Sequence, residues 1–550
     1  MQDSEPHARR RRVRIAVPTR GDALLSRMTE VVGGPLGRRS APGVVSPGFF
    51  TVERVLIIMV VASGILAVLL KFHCRQSGWS TPDQYSTTCW SEIPNVFKEK
   101  GLAVFFPYFG PNATFDYPPL TGEVAGITAW LTTAAGVGAP RQLAFFDLNA
   151  VLIIAMWILA VVATARTARR RPWDAAIVAA SPVLLFTALT SWDMWAVGLV
   201  SVGMLLFARR RNVAGGAVLG LAVCAQPYAL LILVALLMLS IRTRRWLPLL
   251  EAVTAAVVAW LVIMLPVLVL NFGTWRAYLN IGLDNQPSES SIYKAYKLVA
   301  ERLGGAGMGT VAVDLAQLIL LTLAVLGIGW LALAAPRRPR LAQLAFLLVA
   351  AYCLTDKHAA PQHVLWLLPL LALARPKWRT VLSWQAVEVL HYLALLLFLG
   401  RELGDGNAQH AIDMPYFVLA VLLHVGATLA VMALVVREIL RPESDVVRRL
   451  GSDDPQAGML EFAPDRFTVG TGWSRVVLNG TKALNGTAGA EFTQGSTPES
   501  VDCGGTNPSR TSHANMTHSS TNHASTDEAS TDHASTDEAS MNHDSMDPVD

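Results

Sequence analysis

The sequence predicts an all-α, polytopic membrane helix bundle of about 11–13 spans with disordered termini, because apolar runs near bilayer-crossing length recur along it. Of its 550 residues, 52% are hydrophobic and only 16% charged, whereas ordinary globular chains carry about 25% charged residues. The mean hydropathy is +0.39. The charges gather between the apolar runs, as they do in a chain whose helices face lipid. Nucleic-acid binding does not explain the arginine clusters, since each stands at a helix end where membrane orientation accounts for it. The five cysteines do not make a disulfide scaffold.

Residues 1–50 form an arginine-rich leader with Arg9 to Arg12, Arg14, Arg20, Arg38 and Arg39 among Gly and Pro. It reads as a disordered cytoplasmic segment, and no cleavable signal peptide is expected because the first apolar run begins near Val55. Val55 to Leu70 is the first span. The polar stretch from Lys71 to Tyr117 is long for a loop, and loops of that length are usually functional. It makes a first outer loop over 71–118 of a membrane domain spanning 51–440.

Further apolar segments fall at about 119–138, 143–165, 173–190, 194–208, 213–241, 246–270, 311–335, 341–355, 362–374, 381–400 and 416–436. The clusters around Arg166–Arg171, Arg209–Arg211, Arg242–Arg245, Arg337–Arg340, Arg375–Arg379 and Arg437–Arg441 all belong on the cytoplasmic side by the positive-inside rule. That holds if 213–241 is a hairpin broken near Gln226-Pro227 and 119–138 is a re-entrant or interfacial helix. A rival topology lets 119–138 cross, but it leaves two arginine clusters outside. Both place the two termini in the cytoplasm. Residues 441–550 read as a disordered cytoplasmic tail with a low-complexity end, His523-Ala-Ser-Thr-Asp527 then Glu528-Ala-Ser-Thr-Asp532.

The polar residues between the apolar runs supply the candidate chemistry. Glu92 and Asp116 flank Gly and aromatic residues in the first outer loop, where desolvation near a bilayer raises a carboxyl pKa and suits a general base. The plain alternative is a solvated loop acid. Cys74 and Cys89 share that loop, and a disulfide or two free thiols both fit. Asp193 sits in Ser191-Trp192-Asp193-Met194-Trp195, either a functional acid or an interfacial one in an aromatic belt. The turn Asp356-Lys357-His358-Ala359-Ala360-Pro361-Gln362-His363 packs an acid, a cation and two histidines between helices. Lys357 is a point charge suited to phosphate, and His358 or His363 can donate to one. No metal-ligand spacing stands out, so no metal or other cofactor is expected. Arg401, beside Glu402, is either a further phosphate ligand or half of an interfacial ion pair.

In order and spacing, several motifs resemble glycosyltransferase family 87, the polyprenyl-phosphate-mannose-dependent mannosyltransferases and their actinobacterial relatives. They are the acid-bearing first loop, Asp116-Tyr117-Pro118-Pro119-Leu120-Thr121-Gly122, Ser191-Trp192-Asp193, the run Ala214 to Leu221, and Lys357 to Pro369. The resemblance covers about residues 55–436. It implies a C-type glycosyltransferase fold, a lipid-linked sugar donor, inversion at the sugar, and an active site on the extracytoplasmic face. It also implies a first-loop acid as the base, which is Glu92 here where the family usually has Asp. The lysine the family carries after the arginine-rich turn is replaced around Gln226, and the Tyr after its Pro-Gln is His363.

The expectation is a cell-membrane hexosyltransferase acting in cell-envelope assembly. Its donor is a polyprenyl-phosphate sugar, with mannose first in line, and its acceptor a glycolipid or polysaccharide. Glu92 or Asp116 takes the acceptor proton. Lys357, His358, His363 and Arg401 hold the donor phosphate, and Tyr117, Asp193 and Gln362 line the substrate. The rival readings are a transporter or lipid flippase, and an inactive membrane scaffold.

Overall fold

Thr51 opens the first helix, its hydroxyl accepting from the Arg54 N–H at 3.3 Å, and Val52–Leu70 (α1) follows as an apolar helix. In the computed structural model the described residues are 51–104, 106–108, 115, 117–273, 275–276, 286–404, 410–448 and 453–469. They all lie in one compact unit, Met1–Leu484. Among them the chain is helical throughout. Phe72–Ser77 (α2), Asp83–Ser86 (α3) and Glu92–Glu99 (α4) lie in the first loop, which the Cys74–Cys89 disulfide closes. Pro119–Leu131 (α5), Ala139–Thr167 (α6), Ala176–Ala179 (α7), Pro182–Thr187 (α8), Asp193–Ala208 (α9) and Asn212–Ala225 (α10) come next. Leu230–Thr243 (α11), Leu247–Leu270 (α12), Ile292–Arg302 (α13) and Thr310–Ala334 (α14) follow. Leu341–Thr355 (α15), Val364–Ala374 (α16), Trp378–Leu403 (α17) and Met414–Leu440 (α18) complete the bundle.

Six of these helices (α1, α6, α12, α14, α17 and α18) are long and apolar enough to cross a membrane. In α12 and α14 only 17% and 11% of the most apolar stretch is buried, so these two stand on the lipid-facing outside. The chain is a multi-pass membrane protein.

The ends of the helices sort onto two sides. Arg166 at the end of α6 pairs with Glu53 at the start of α1 at 2.8 Å, so those two helices run antiparallel. At the far end of α1, the Lys71 ammonium donates to the Trp90 carbonyl at 2.7 Å. Two ends of the bundle follow, an arginine end and an acid end.

Helix α5 is 13 residues long, about 20 Å at 1.5 Å per residue. Thr121 near its start donates to the Ala225 carbonyl. Arg141 joins its end to the first loop through the carbonyls of Ala129 and Ala103. Both ends of α5 therefore face the acid end, as a re-entrant helix requires. The chain also breaks at Gln226, extended at φ −155° and ψ 131°, where Pro227 lacks the N–H that would continue the helix. Asn212 at the start of α10 reaches Met459, and Arg242 at the end of α11 reaches Asp465 at 2.7 Å. Both feet of the hairpin thus stand on the arginine end.

Residues 441–448 and 453–469, assigned to the tail from sequence, are packed across that arginine end. They bury Val446, Val447, Ala457 and Leu460 and supply carboxylates. Arg340 is fully buried; it makes two bonds to Asp445, at 2.7 and 3.2 Å, and caps α16 through the carbonyls of Leu373 and Ala374. Arg242 caps α14 in the same way through Ala332 and Ala335. Cations there satisfy orphan carbonyls and oppose the helix dipole. Burial alone would raise the Asp445 carboxyl, yet the Arg340 charge holds it below its ordinary value. The residues beyond 469, with the near-repeat, lie outside the described residues.

Close packing of α10 against α12 rests on glycine. A Cβ on Gly216 would collide with the Ala252 backbone, and one on Gly220 with that of Ala256. Small residues four apart let two helix backbones meet, a device common between membrane helices.

Candidate functional site

Glu92 is the first residue of α4, after Ser91 in extended conformation. Its N–H donates to the Thr190 carbonyl at 2.8 Å, and the Ser91 hydroxyl to that of Leu189 at 2.8 Å. The loop acid is thereby pinned to the turn that precedes α9. Lys71, itself buried and donating also to the Tyr392 hydroxyl at 3.3 Å, fixes the loop two residues earlier through Trp90. Burial lowers the Lys71 ammonium to about 7.

The Glu92 side chain is half-buried. Desolvation pushes its carboxyl up to about 7, and the charges of Asp193 and Glu99 push the same way. A hydrogen bond from the Tyr117 hydroxyl to Glu92 Oε1 opposes them. Tyr117 is set by its neighbours: its carbonyl accepts from the Tyr108 hydroxyl, and its ring meets Phe115 at 5.0 Å and Trp192 edge-on at 5.8 Å. Gly122 leaves the room for Tyr108, since a Cβ there would collide with that ring.

Asp193 opens α9 and is buried. Its Oδ1 accepts from Gln226 Nε2 at 2.7 Å and Trp366 Nε1 at 3.1 Å, and its Oδ2 from the Ser191 hydroxyl at 2.5 Å. The carboxylate thus ties α9, the apex of the α10–α11 hairpin and α16 together. Tyr228 stacks on Trp366 at 4.4 Å and His363 stacks on it at 3.9 Å. Glu92, Tyr117, Trp192, Asp193, Gln226, Trp366 and His363 form one connected set at the acid end.

The other residues singled out from sequence are placed differently. Lys357 is buried and its ammonium engages Asp314; its carbonyl accepts from Ser288 N–H at 2.8 Å. The His358 N–H donates to Asp356 at 3.0 Å, while His358 Nε2 and Gln362 Oε1 are buried without a partner among the described residues. His363 Nδ1 accepts from the Ala360 N–H at 3.4 Å. Arg401 pairs with Asp413. Asp116 lies outside the described residues. Sequence reasoning missed Lys71 and Trp366. A lone lysine at a helix end reads as a snorkelling cation, and a tryptophan in an apolar run reads as core. An apolar cavity of about 940 Å³ between α14 and α18 opens beside Pro336 and Arg441 at the arginine end, away from Glu92.

A half-open acid with a pKa near neutrality, hydrogen-bonded by a tyrosine beside buried aromatics, can accept a proton from a hydroxyl substrate at the bilayer boundary. Fold and site together define a multi-pass membrane protein with an acid–aromatic site at one end of its bundle. The model of glycosyltransferase family 87 matches residues 115–356, a stretch holding Tyr117, Asp193 and Gln226. Over that stretch, which is under half of the chain, the sequence is similar to glycosyltransferase family 87. No curated protein matches it.

Proposed function

We propose that this chain transfers a sugar, mannose first among the candidates, from a polyprenyl-phosphate donor to a glycolipid or polysaccharide acceptor in cell-envelope assembly. The single observation carrying this reading is Glu92, half-open, with its pKa near 7 and its carboxylate held by Tyr117. The arginine end faces the cytoplasm by the positive-inside rule, so the acid end faces away from it and both termini are cytoplasmic.

Glu92 takes the proton from the acceptor hydroxyl as its oxygen attacks the anomeric carbon. The bond from that carbon to the phosphate oxygen breaks, and polyprenyl phosphate leaves with the electron pair. Asp116 is the neighbouring acid of the same loop. Asp193 positions the aromatic wall, and Tyr117 and Gln362 line the sugar. For the leaving phosphate, His358 supplies a ring nitrogen with no partner among the described residues, and His363 stands against Trp366. Lys357 and Arg401 reach a phosphate by exchanging Asp314 and Asp413 for it.

The test is transfer of labelled sugar from lipid-linked mannose to an envelope extract by the purified protein, with product analysis. Glu92→Gln is expected to lose about 10²–10⁴-fold in rate with its melting temperature retained. Full activity in that variant rejects the reading. Uptake of lipid-linked sugar into proteoliposomes without any transfer product supports a flippase instead.

A further inference from the structure

Away from Glu92, α17 and α18 enclose a second polar cluster within an apolar region. Glu388 and His391 stand three residues apart on α17, and His424 faces them from α18. Glu388 and His391 are buried, at 3% and 1% exposure. One ligand-type atom from each lies within 4.8 Å of the other two.

The cluster is built to present lone pairs. His424 Nδ1 lies 2.7 Å from Glu388 Oε2. Glu388 Oε1 accepts from the Thr428 hydroxyl at 3.3 Å, and that hydroxyl accepts from Trp384 Nε1 at 3.0 Å. Such outer partners fix the direction of a ligating carboxylate. The two imidazoles stack at 4.6 Å and 18°, which holds the two rings side by side next to Glu388. His391 has no partner on either ring nitrogen among the described residues, and neither has the buried Ser290 hydroxyl. Both line a cavity of about 10 Å³, together with Cys353, Ala359 and His363. That is the room of a single water or ion.

We infer that Glu388, His391 and His424 bind one first-row divalent transition ion, with Zn²⁺ the best fit. Two imidazoles and one carboxylate are a recurring zinc set with a fourth position left open. Mg²⁺ and Ca²⁺ prefer ligand sets made of oxygen. Bonds of about 2.0–2.1 Å require each ligand atom to move inward by less than about 1 Å. Cys353, His363 and Ser290 are within the same cavity to complete the sphere. The ion would join the α17–α18 pair to the turn carrying Ala359 and His363. His391 adjoins Tyr392, which meets Lys71 at the acid end, and His363 borders both this cavity and Trp366, so the ion would lie beside the sugar-transfer site.

The test uses the full chain, purified through a tag without histidine, stripped by chelator and titrated with Zn²⁺ and with Co²⁺. One ion per chain is expected by elemental analysis. A Co²⁺ visible spectrum that Zn²⁺ abolishes, and a melting temperature that rises with Zn²⁺, are expected with it. Glu388→Gln and His424→Ala should each weaken binding by at least about tenfold, while His73→Ala in the first loop leaves it intact. The wild-type melting shift needs no variant to fold. Absence of that shift together with less than stoichiometric ion overturns the inference. So does binding that persists in both ligand variants, which assigns the ion to histidines elsewhere.

Discussion

The Tyr117 hydroxyl donates to the Glu92 carboxylate across a gap of 25 residues in sequence, placing a proton donor on a first-loop acid that is half-buried against the bundle. This contact sets the protonation state of Glu92 against the burial that raises it. With its pKa at about 7, Glu92 is protonated and inactive as a base in acid and becomes competent as pH rises. The rate of sugar transfer is expected to show a rising limb with its midpoint near 7. Tyr117→Phe removes an interaction that lowers the pKa, so the limb should move to higher pH. A limb that stays in place in Tyr117→Phe contradicts this.

The same shift has a stability consequence of defined sign. The folded pKa of Glu92 lies above its ordinary value of 4.5, so the native state binds this proton more tightly than the unfolded chain does. Its contribution is fully present below about pH 4.5 and is lost as pH rises through about 7. Comparing melting temperatures across that window, Glu92→Gln should flatten the decline.

Asp193 is the tie among three elements, and its removal leaves three donors facing a buried space. Asp193→Ala is expected to cost about 3–5 kcal/mol, read as a lower melting temperature in detergent. Asp193→Asn keeps the shape and one acceptor oxygen and should cost less. Equal stability of Asp193→Ala and wild type would show the tie to be idle.

Helices α10 and α12 meet at Gly216 and Gly220, where added side chains strike backbone rather than flexible atoms. Gly220→Leu should destabilise by about 1–3 kcal/mol or more through forced separation, whereas Gly327→Ala on α14, with open space at its Cβ, should be tolerated. The melting temperatures of the two variants check the contrast.

At the arginine end, Asp445→Ala strands the buried Arg340 charge and is expected to cost about 3–5 kcal/mol. Limited proteolysis should then cut between 441 and 469 in the variant before the wild type. Unchanged protection would mean that the strap is held without this ion pair.

Much of this arrangement was legible from residues alone, for reasons that can be named. Pro227 marks the hairpin break because it cannot donate. Arginine clusters at 166–171 and 209–211 force α5 to return to the side it started from. Glu92 was legible as a carboxylate flanking Gly and aromatic residues in a long polar loop, and Tyr117 is one of the aromatics it meets. What stayed hidden depends on long-range partners. Lys357 looked free for phosphate, but Asp314, 43 residues away, engages it. Residues 453–469 are polar and read as tail, yet their acids serve arginines on three earlier segments. Glu388, His391 and His424 come from two helices whose apolar neighbours conceal them, and their juxtaposition requires the α17–α18 packing.

The claim on which the account rests is that the Glu92 loop and the chain beside the Lys357–His363 turn share one non-cytoplasmic face, with the arginine clusters opposite. Single cysteines at the exposed positions Lys98, Leu303 and Arg210, in a background with Cys503→Ser, test it with a membrane-impermeant thiol reagent on intact cells. Lys98→Cys and Leu303→Cys are expected to label at once, and Arg210→Cys only after permeabilisation. Labelling of Lys98→Cys and Leu303→Cys from opposite sides would contradict the account.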